Sequence, residues 1–144
     1  MNLRLPLLLL LLVLLSGCST YQKFQRDEAC EKTIKAYRNM VRWQELEKAV
    51  LGVVDAEQRA SFAKSAEAFR RRGITVVDAR ELAVSCQTER GLAEATIEFD
   101  YFALPSSRVQ TVTDRQKWIY RIADSSRPDL VEGWKLTTPL PEFR

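Results

Sequence analysis

Ala93-Glu94-Ala95-Thr96-Ile97-Glu98-Phe99-Asp100-Tyr101 decides the fold. Apolar and polar residues alternate without a break. At the two-residue period of a β-strand, every apolar side chain falls on one face and every polar one on the other. Such a strand belongs to an antiparallel sheet with one face packed and one in water. Extended segments lie on both sides of it. Ile74, Val76, Leu82, Val84 and Cys86 precede it, with a bend expected near Asp78-Ala79, and Gly91 marks a turn. Pro105-Ser106-Ser107 is a loop. A third run puts Val112, Gln116, Trp118, Tyr120 and Ile122 on one parity. Trp134 and Leu136 begin a last short strand, closed by Pro139 and Pro141.

Upstream the period changes. From Glu28 to about Leu51, Cys30, Ile34, Tyr37 and Val41 recur at helical steps, and Leu46 and Val50 extend the same face. Asp55 is an N-cap for a second helix, with Gln58 placed to complete a capping box. Phe62, Ala66 and Phe69 form its apolar face. Arg70-Arg71-Arg72 and Gly73 end it, the cations favouring the negative helix end and glycine the left-handed cap. Three adjacent arginines could also touch anionic headgroups.

Two helices followed by about four antiparallel strands predict an α+β domain over residues 28–144, a helical hairpin covering the apolar face of a curved sheet. This order, with Gln116-Lys117-Trp118 followed by Gly133-Trp134-Lys135-Leu136 and a proline-bounded tail, resembles the NTF2-like (cystatin-like) fold. The resemblance covers residues 28–138 and lies in element order and aromatic placement. It carries no activity with it.

Composition narrows the function. The chain has 144 residues, 22 Lys and Arg against 19 Asp and Glu, three Cys and no His. One domain is expected at this length. Without His there is no Ser-His or Cys-His nucleophile pair and no His-ligated zinc or haem. A net charge of +3 does not point to nucleic acid. No metal and no cofactor are expected.

The N-terminus is an address. Arg4 precedes an apolar run from Leu5 to Leu15, then Ser16-Gly17-Cys18. A bilayer span needs ~20 apolar residues, so the run fits a secretory signal instead. Leu15-Ser16-Gly17-Cys18 resembles the lipobox of bacterial lipoproteins. The resemblance implies cleavage between Gly17 and Cys18, removal of residues 1–17, and acylation of Cys18 with a diacylglycerol on its thiol and a fatty acid, such as palmitate, on its amine. Ser19, where an Asp would favour inner-membrane retention, implies the outer membrane, facing the periplasm. Residues 18–27 then form a short lipidated tether. The membrane is one partner and an envelope protein within reach of the tether is the other.

Cys30 and Cys86 remain. In an oxidising compartment two thiols suggest a disulfide, with two buried free thiols as the alternative.

Trp43, Tyr101, Trp118, Tyr120 and Trp134 either line a ligand pocket in the mouth of the sheet or fill it as core; strand alternation favours core. Among carboxylates, Asp78, Glu98 and Asp100 lie near or on the sheet, but Glu98 and Asp100 fall on the polar parity, where nothing tunes a catalytic pKa. The expectation is therefore a non-enzymatic interaction or scaffolding domain. A carrier of a small apolar molecule or lipid is the alternative, and a small isomerase-like enzyme the third reading.

Overall fold

The alternating run forms the middle of a 12-residue strand, and the sheet is built outward from it. In the computed structural model the backbone is described for residues 4–144 and the side chains from Tyr21 onward. Three helices, α1 (Arg4–Arg42), α2 (Leu46–Gly52) and α3 (Arg59–Arg71), precede four strands, β1 (Ile74–Gln87), β2 (Leu92–Ala103), β3 (Gln110–Arg121) and β4 (Gly133–Leu136). The strands are antiparallel in the order β1-β2-β3-β4, so the chain is α+β with an open four-stranded sheet.

The expected alternation holds on β2: Ala93, Ala95, Ile97, Phe99 and Tyr101 are buried. It pairs with β3 in unbroken register from Leu92↔Ile119 to Tyr101↔Gln110. The β1–β2 pairing is interrupted twice, between Val76 and Asp78 and between Glu81 and Ala83. The first interruption is the bend expected near Asp78. The second corrects the reading of Leu82. Each extra residue flips the side-chain parity, so Leu82 occupies the bulge and is exposed, while Val84 and Cys86 return to the packed face.

The helical region also differs from expectation. The first helix does not run on to Leu51. It stops at Arg42, and Gln44 takes a positive φ of 60° before α2 begins. Both α2 and α1 still point their apolar residues inward: Cys30, Ile34, Tyr37 and Val41, then Leu46 and Ala49. Asp55 caps a short 3-10 turn, Ala56–Gln58, instead of the helix itself, and α3 starts at Arg59. The capping box with Gln58 does not form among the described contacts. The end of α3 is as expected, with Gly73 at φ 60°.

Residues 18–27 are not a loose tether. The backbone is helical there, so Ser19 to Arg26 reaches about 12 Å, less than half an extended chain. Lys23 pairs with Glu89 at 2.6 Å, and the Arg26 carbonyl accepts from the Trp134 indole N–H at 3.2 Å. The folded unit therefore takes in residues from Lys23 onward. The lipobox, including Gly17 and Cys18, lies outside the residues whose side chains are described. Among the described residues no helix is long and apolar enough to cross a membrane.

Cys30 of α1 and Cys86 of β1 are joined as a disulfide, their Cα atoms 6.4 Å apart. A second tie links the helices to the far side of the sheet. Asp55 is buried and accepts two hydrogen bonds from Arg121, from Nε at 2.9 Å and from Nη2 at 3.1 Å. The Arg121 guanidinium holds the Asp55 carboxyl below its usual range.

Two stability outcomes follow. The paired change Cys30→Ala and Cys86→Ala releases a loop of about 57 residues and is expected to lower unfolding free energy by ~4 kcal/mol in urea titrations; reduction of the native chain should match it. Asp55→Ala should cost ~2 kcal/mol, short of the fully buried case because Arg121 keeps access to water. Since the folded Asp55 pKa lies below 3.8, its contribution is present above that pH and is lost on acidification.

Candidate functional site

The sheet has a packed inner face and a solvated outer face, and the ionisable groups divide between them. On the outer face Arg80 sits among three carboxylates. It donates to Asp100 through Nη1 at 2.5 Å and Nη2 at 3.0 Å, to Asp78 at 3.2 Å and to Glu98 at 3.3 Å. Asp100 also accepts from the Thr111 hydroxyl, and these donors hold its pKa at about 2. Asp78, Glu98 and Asp100, the expected carboxylate candidates, are thus gathered around one guanidinium in a surface ion-pair cluster facing away from the core.

The inner face holds a carboxylate of the opposite character. Asp114 is 3% exposed. Its Oδ2 accepts from Gln116 Nε2 at 2.8 Å, and Gln116 Oε1 accepts from Trp118 Nε1 at 3.0 Å. The three residues stand at steps of two on β3, so the relay is a direct product of strand geometry. Burial pushes the Asp114 pKa up to about 7, with the Gln116 hydrogen bond acting the other way. The ring of Tyr37 packs edge-on against Trp118 at 5.7 Å, and the buried Tyr37 hydroxyl has no hydrogen-bond partner among the described residues. Burial, and then the nearby Asp114 charge, push the Tyr37 phenol well above its usual range. Asp114 was legible in principle, two residues before Gln116 on the same parity; an acidic residue on an otherwise apolar face is the signal.

The aromatic candidates do not converge on a pocket. Trp118 and Trp134 are core residues, at 1% and 3% exposure. Trp43, on the turn between α1 and α2, is 68% exposed and stacks only with Arg42, 5.3 Å away. Tyr120 is half-buried, edge-on to Trp134 at 5.5 Å and under Arg26 at 4.9 Å. Tyr101 holds the C-terminal tail: its hydroxyl accepts from the Arg144 N–H at 2.8 Å and donates to the Arg144 carbonyl at 2.9 Å. The physical reason is volume. Tyr37, Phe62 and Phe99 are fully buried in the same core as Trp118, where a pocket would have to lie. The three arginines ending α3 each have a partner within the chain. Arg70 pairs with Glu47, Arg71 pairs with Glu67, and Arg72 donates to the Phe143 carbonyl at 2.6 Å.

The tail creates a feature that residue patterns did not reveal. Phe143 is buried against Phe69, Tyr101 and Phe99, with ring centroids 4.9, 5.0 and 6.1 Å away. Between this anchored tail, from Thr138 to Arg144, and β3, from Gln110 to Arg115, runs an open groove of about 610 Å³. Asp114 and Tyr101 reach its wall, as does Thr138, whose buried hydroxyl has no hydrogen-bond partner among the described residues. Within the described residues no group of His, Cys, Asp and Glu is placed to hold a metal ion. Chemically, the site can carry one proton near neutrality and offers backbone and hydroxyl groups for hydrogen bonding; the other titratable group that feels the Asp114 charge is the Tyr37 phenol, held well above its usual range.

No family model matches the chain, and no curated protein matches it. Among solved structures it is similar to the intermembrane-space region of the chloroplast protein ARC6, at 15% identity and a TM-score of 0.36, over 74% of this chain and 94% of that one.

Because the folded Asp114 pKa, about 7, lies above the unfolded value of 3.8, the folded state binds the extra proton between these values. Stability is then greatest below pH ~4 as far as this group is concerned, and falls as pH rises towards 7. Asp114→Asn keeps an acceptor for Gln116 and removes the titration. The native chain is expected to lose stability between pH 5 and pH 8, by about 3 kcal/mol by linkage, and the variant to lose that decline in melting temperature.

Proposed function

We propose that the chain is a lipoprotein of the bacterial envelope, anchored through an acylated Cys18, whose NTF2-like α+β domain works by binding another protein and not by catalysis. The reading places it in the outer membrane, facing the periplasm. It rests on the leader and lipobox at residues 4–18, and the Cys30–Cys86 pairing suits an oxidising compartment. The helical stem fits the same picture, because it keeps the domain close to the bilayer that carries the anchor.

The observation that carries the non-enzymatic part is the filled inner face. Of the aromatics that would line a ligand chamber, Tyr101, Trp118 and Trp134 are core, Tyr120 is half-buried and Trp43 is exposed, and the expected carboxylates are bound to Arg80 on the surface. That packing also removes the main support for the carrier reading, which needs a chamber of roughly 300 Å³ or more lined by those rings. What the domain does offer is an open groove beside a strand.

The direct check is capture from gently solubilised envelopes with the intact, acylated chain, using Cys18→Ala as the unanchored control. A stoichiometric envelope protein recovered with the anchored form is the expected result. Recovery of bound lipid alone, or turnover of an ester or ketosteroid-type substrate by the pure chain that Asp114→Asn abolishes, would overturn it.

A further inference from the structure

The edges of the sheet are not treated alike. A sheet edge leaves backbone N–H and C=O groups unpaired, a template for another strand. Along β1 the outer edge is broken by bulges at Val77 and Leu82, which twist it out of register for pairing. The outer edge of β4 is covered. Val54 bridges Leu136 in parallel, the Leu136 N–H donates to the Val53 carbonyl at 2.8 Å, the Asp55 N–H donates to the Leu136 carbonyl at 2.9 Å, and Lys135 Nζ caps the Gly52 carbonyl at 2.8 Å.

The third edge is the first half of β3, which extends past β4. Pairing with β4 covers only Trp118 to Arg121, and one further bond joins the Thr137 N–H to the Lys117 carbonyl at 2.9 Å. On the other side the Tyr120 N–H donates to the Gly91 carbonyl. Even-numbered residues of β3 therefore turn their backbone groups towards β2, and odd-numbered residues turn theirs away from it. By this alternation Thr111, Thr113 and Arg115 present N–H and C=O groups into the groove. They have no backbone partner there among the described residues. The strand is flat in register through this stretch, with no bulge against β2.

The tail cannot fill the vacancy itself. Continuing the β3–β4 register would place Pro139 opposite Arg115 and Pro141 opposite Thr113. These are the positions that would have to donate, and proline has no N–H. Leu140 and Phe143 then draw the tail over the inner face. Two prolines at alternate positions thus hold a strand-wide groove open beside about 17 Å of unpaired edge.

We propose that the β3 edge from Thr111 to Arg115 takes an extended segment of a partner protein as an added strand, with an acidic side chain of that segment beside Arg115 and Lys117. This rests on the protein-binding reading above and names its site. The charge assignment comes from the outer face of β3, where Arg115 and Lys117 are exposed and carry no ion pair among the described residues, while Arg144 across the groove is engaged by Glu142 at 3.1 Å. The other parity of the added strand would meet Val112 and Leu140, which suits small apolar side chains. Main-chain bonds supply affinity in this mode and the alternating side chains supply choice.

The probe is a fluorescent synthetic peptide of about nine residues, Thr and Val alternating around a central Asp, with a central-Lys version and a version with proline at alternate positions as controls. The target is the full acylated chain in detergent. In the free chain the amides of Thr111, Thr113 and Arg115 should exchange rapidly with solvent, and the Asp peptide should slow them about tenfold or more. Thr113→Pro removes one outward N–H without touching the β2 ladder and should weaken binding by about tenfold or more. Arg115→Glu leaves the backbone donors in place and should reverse the preference between the Asp and Lys peptides; it decides the matter if the proline variant does not fold. Absence of protection, protection falling on β1 amides, equal binding of the proline peptide, or an unchanged preference in Arg115→Glu would overturn the proposal. Concentration-dependent protection of the same amides without peptide would also overturn it, since a second copy would then cover the edge. In the envelope capture, a partner held equally by Thr113→Pro overturns the edge site alone, whereas no partner with any form overturns the protein-binding reading beneath it.

Discussion

The buried stripe of α1 against the inner face of the sheet is the contact on which the rest is arranged. Cys30, Ile34, Tyr37 and Val41 are the helical side, and Trp118, the largest fully buried side chain, is the sheet side. Tyr37 meets both Trp118 and Phe62, so one ring couples α1 to the sheet and to α3. Full burial of such side chains contributes about 1.5–3 kcal/mol each. The Cys30–Cys86 bond clamps the same helix to β1, at the opposite end of the stripe from Val41. With α1 fixed, the short α2 and the Val53–Asp55 segment reach the edge of β4, where Asp55 and Arg121 complete the closure.

That closure has a consequence for function. A helix laid across the inner face leaves no chamber there among the described residues, so the binding we propose falls to the periphery of the sheet. Backbone hydrogen bonding then becomes the main resource. Bulges blunt one edge and a bridging loop covers another, while prolines keep the tail off the third. Each device is local, and together they leave Thr111 to Arg115 as an unpaired stretch without a bulge, whereas the unpaired outer edge of β1 is bulged twice.

The carboxylates show how the same chemistry diverges with position. Asp100 and Asp114 lie on neighbouring strands, yet one is held at a pKa of about 2 and the other at about 7. Arg80 and Thr111 donate to the first in water-exposed surroundings. The second has one amide donor and is otherwise buried, so desolvation prevails. The proton on Asp114 is thus a property of the fold, tied to a groove that opens towards solvent.

Much of this architecture was readable from residue order. The alternation from Ala93 to Tyr101 and the helical spacing from Cys30 to Val41 and from Phe62 to Phe69 each report a local period, and a period follows from backbone geometry alone. Gly73 and the bend at Asp78 are local signals of the same kind. The chain by itself therefore determined the α+β class, the packed and solvated faces of the central strand, and the leader and lipobox resemblance. Only the tertiary structure decided that Leu82 sits in a bulge, that Asp55 serves Arg121 more than a helix cap, that Trp43 stands apart from the core that takes Trp118 and Trp134, and that β3 overhangs β4 with a free edge. These depend on which strand lies beside which, on register, and on competition for one volume. Such pairings join residues far apart in the chain, here Asp55 with Arg121 and Tyr101 with Arg144, and no local period encodes them.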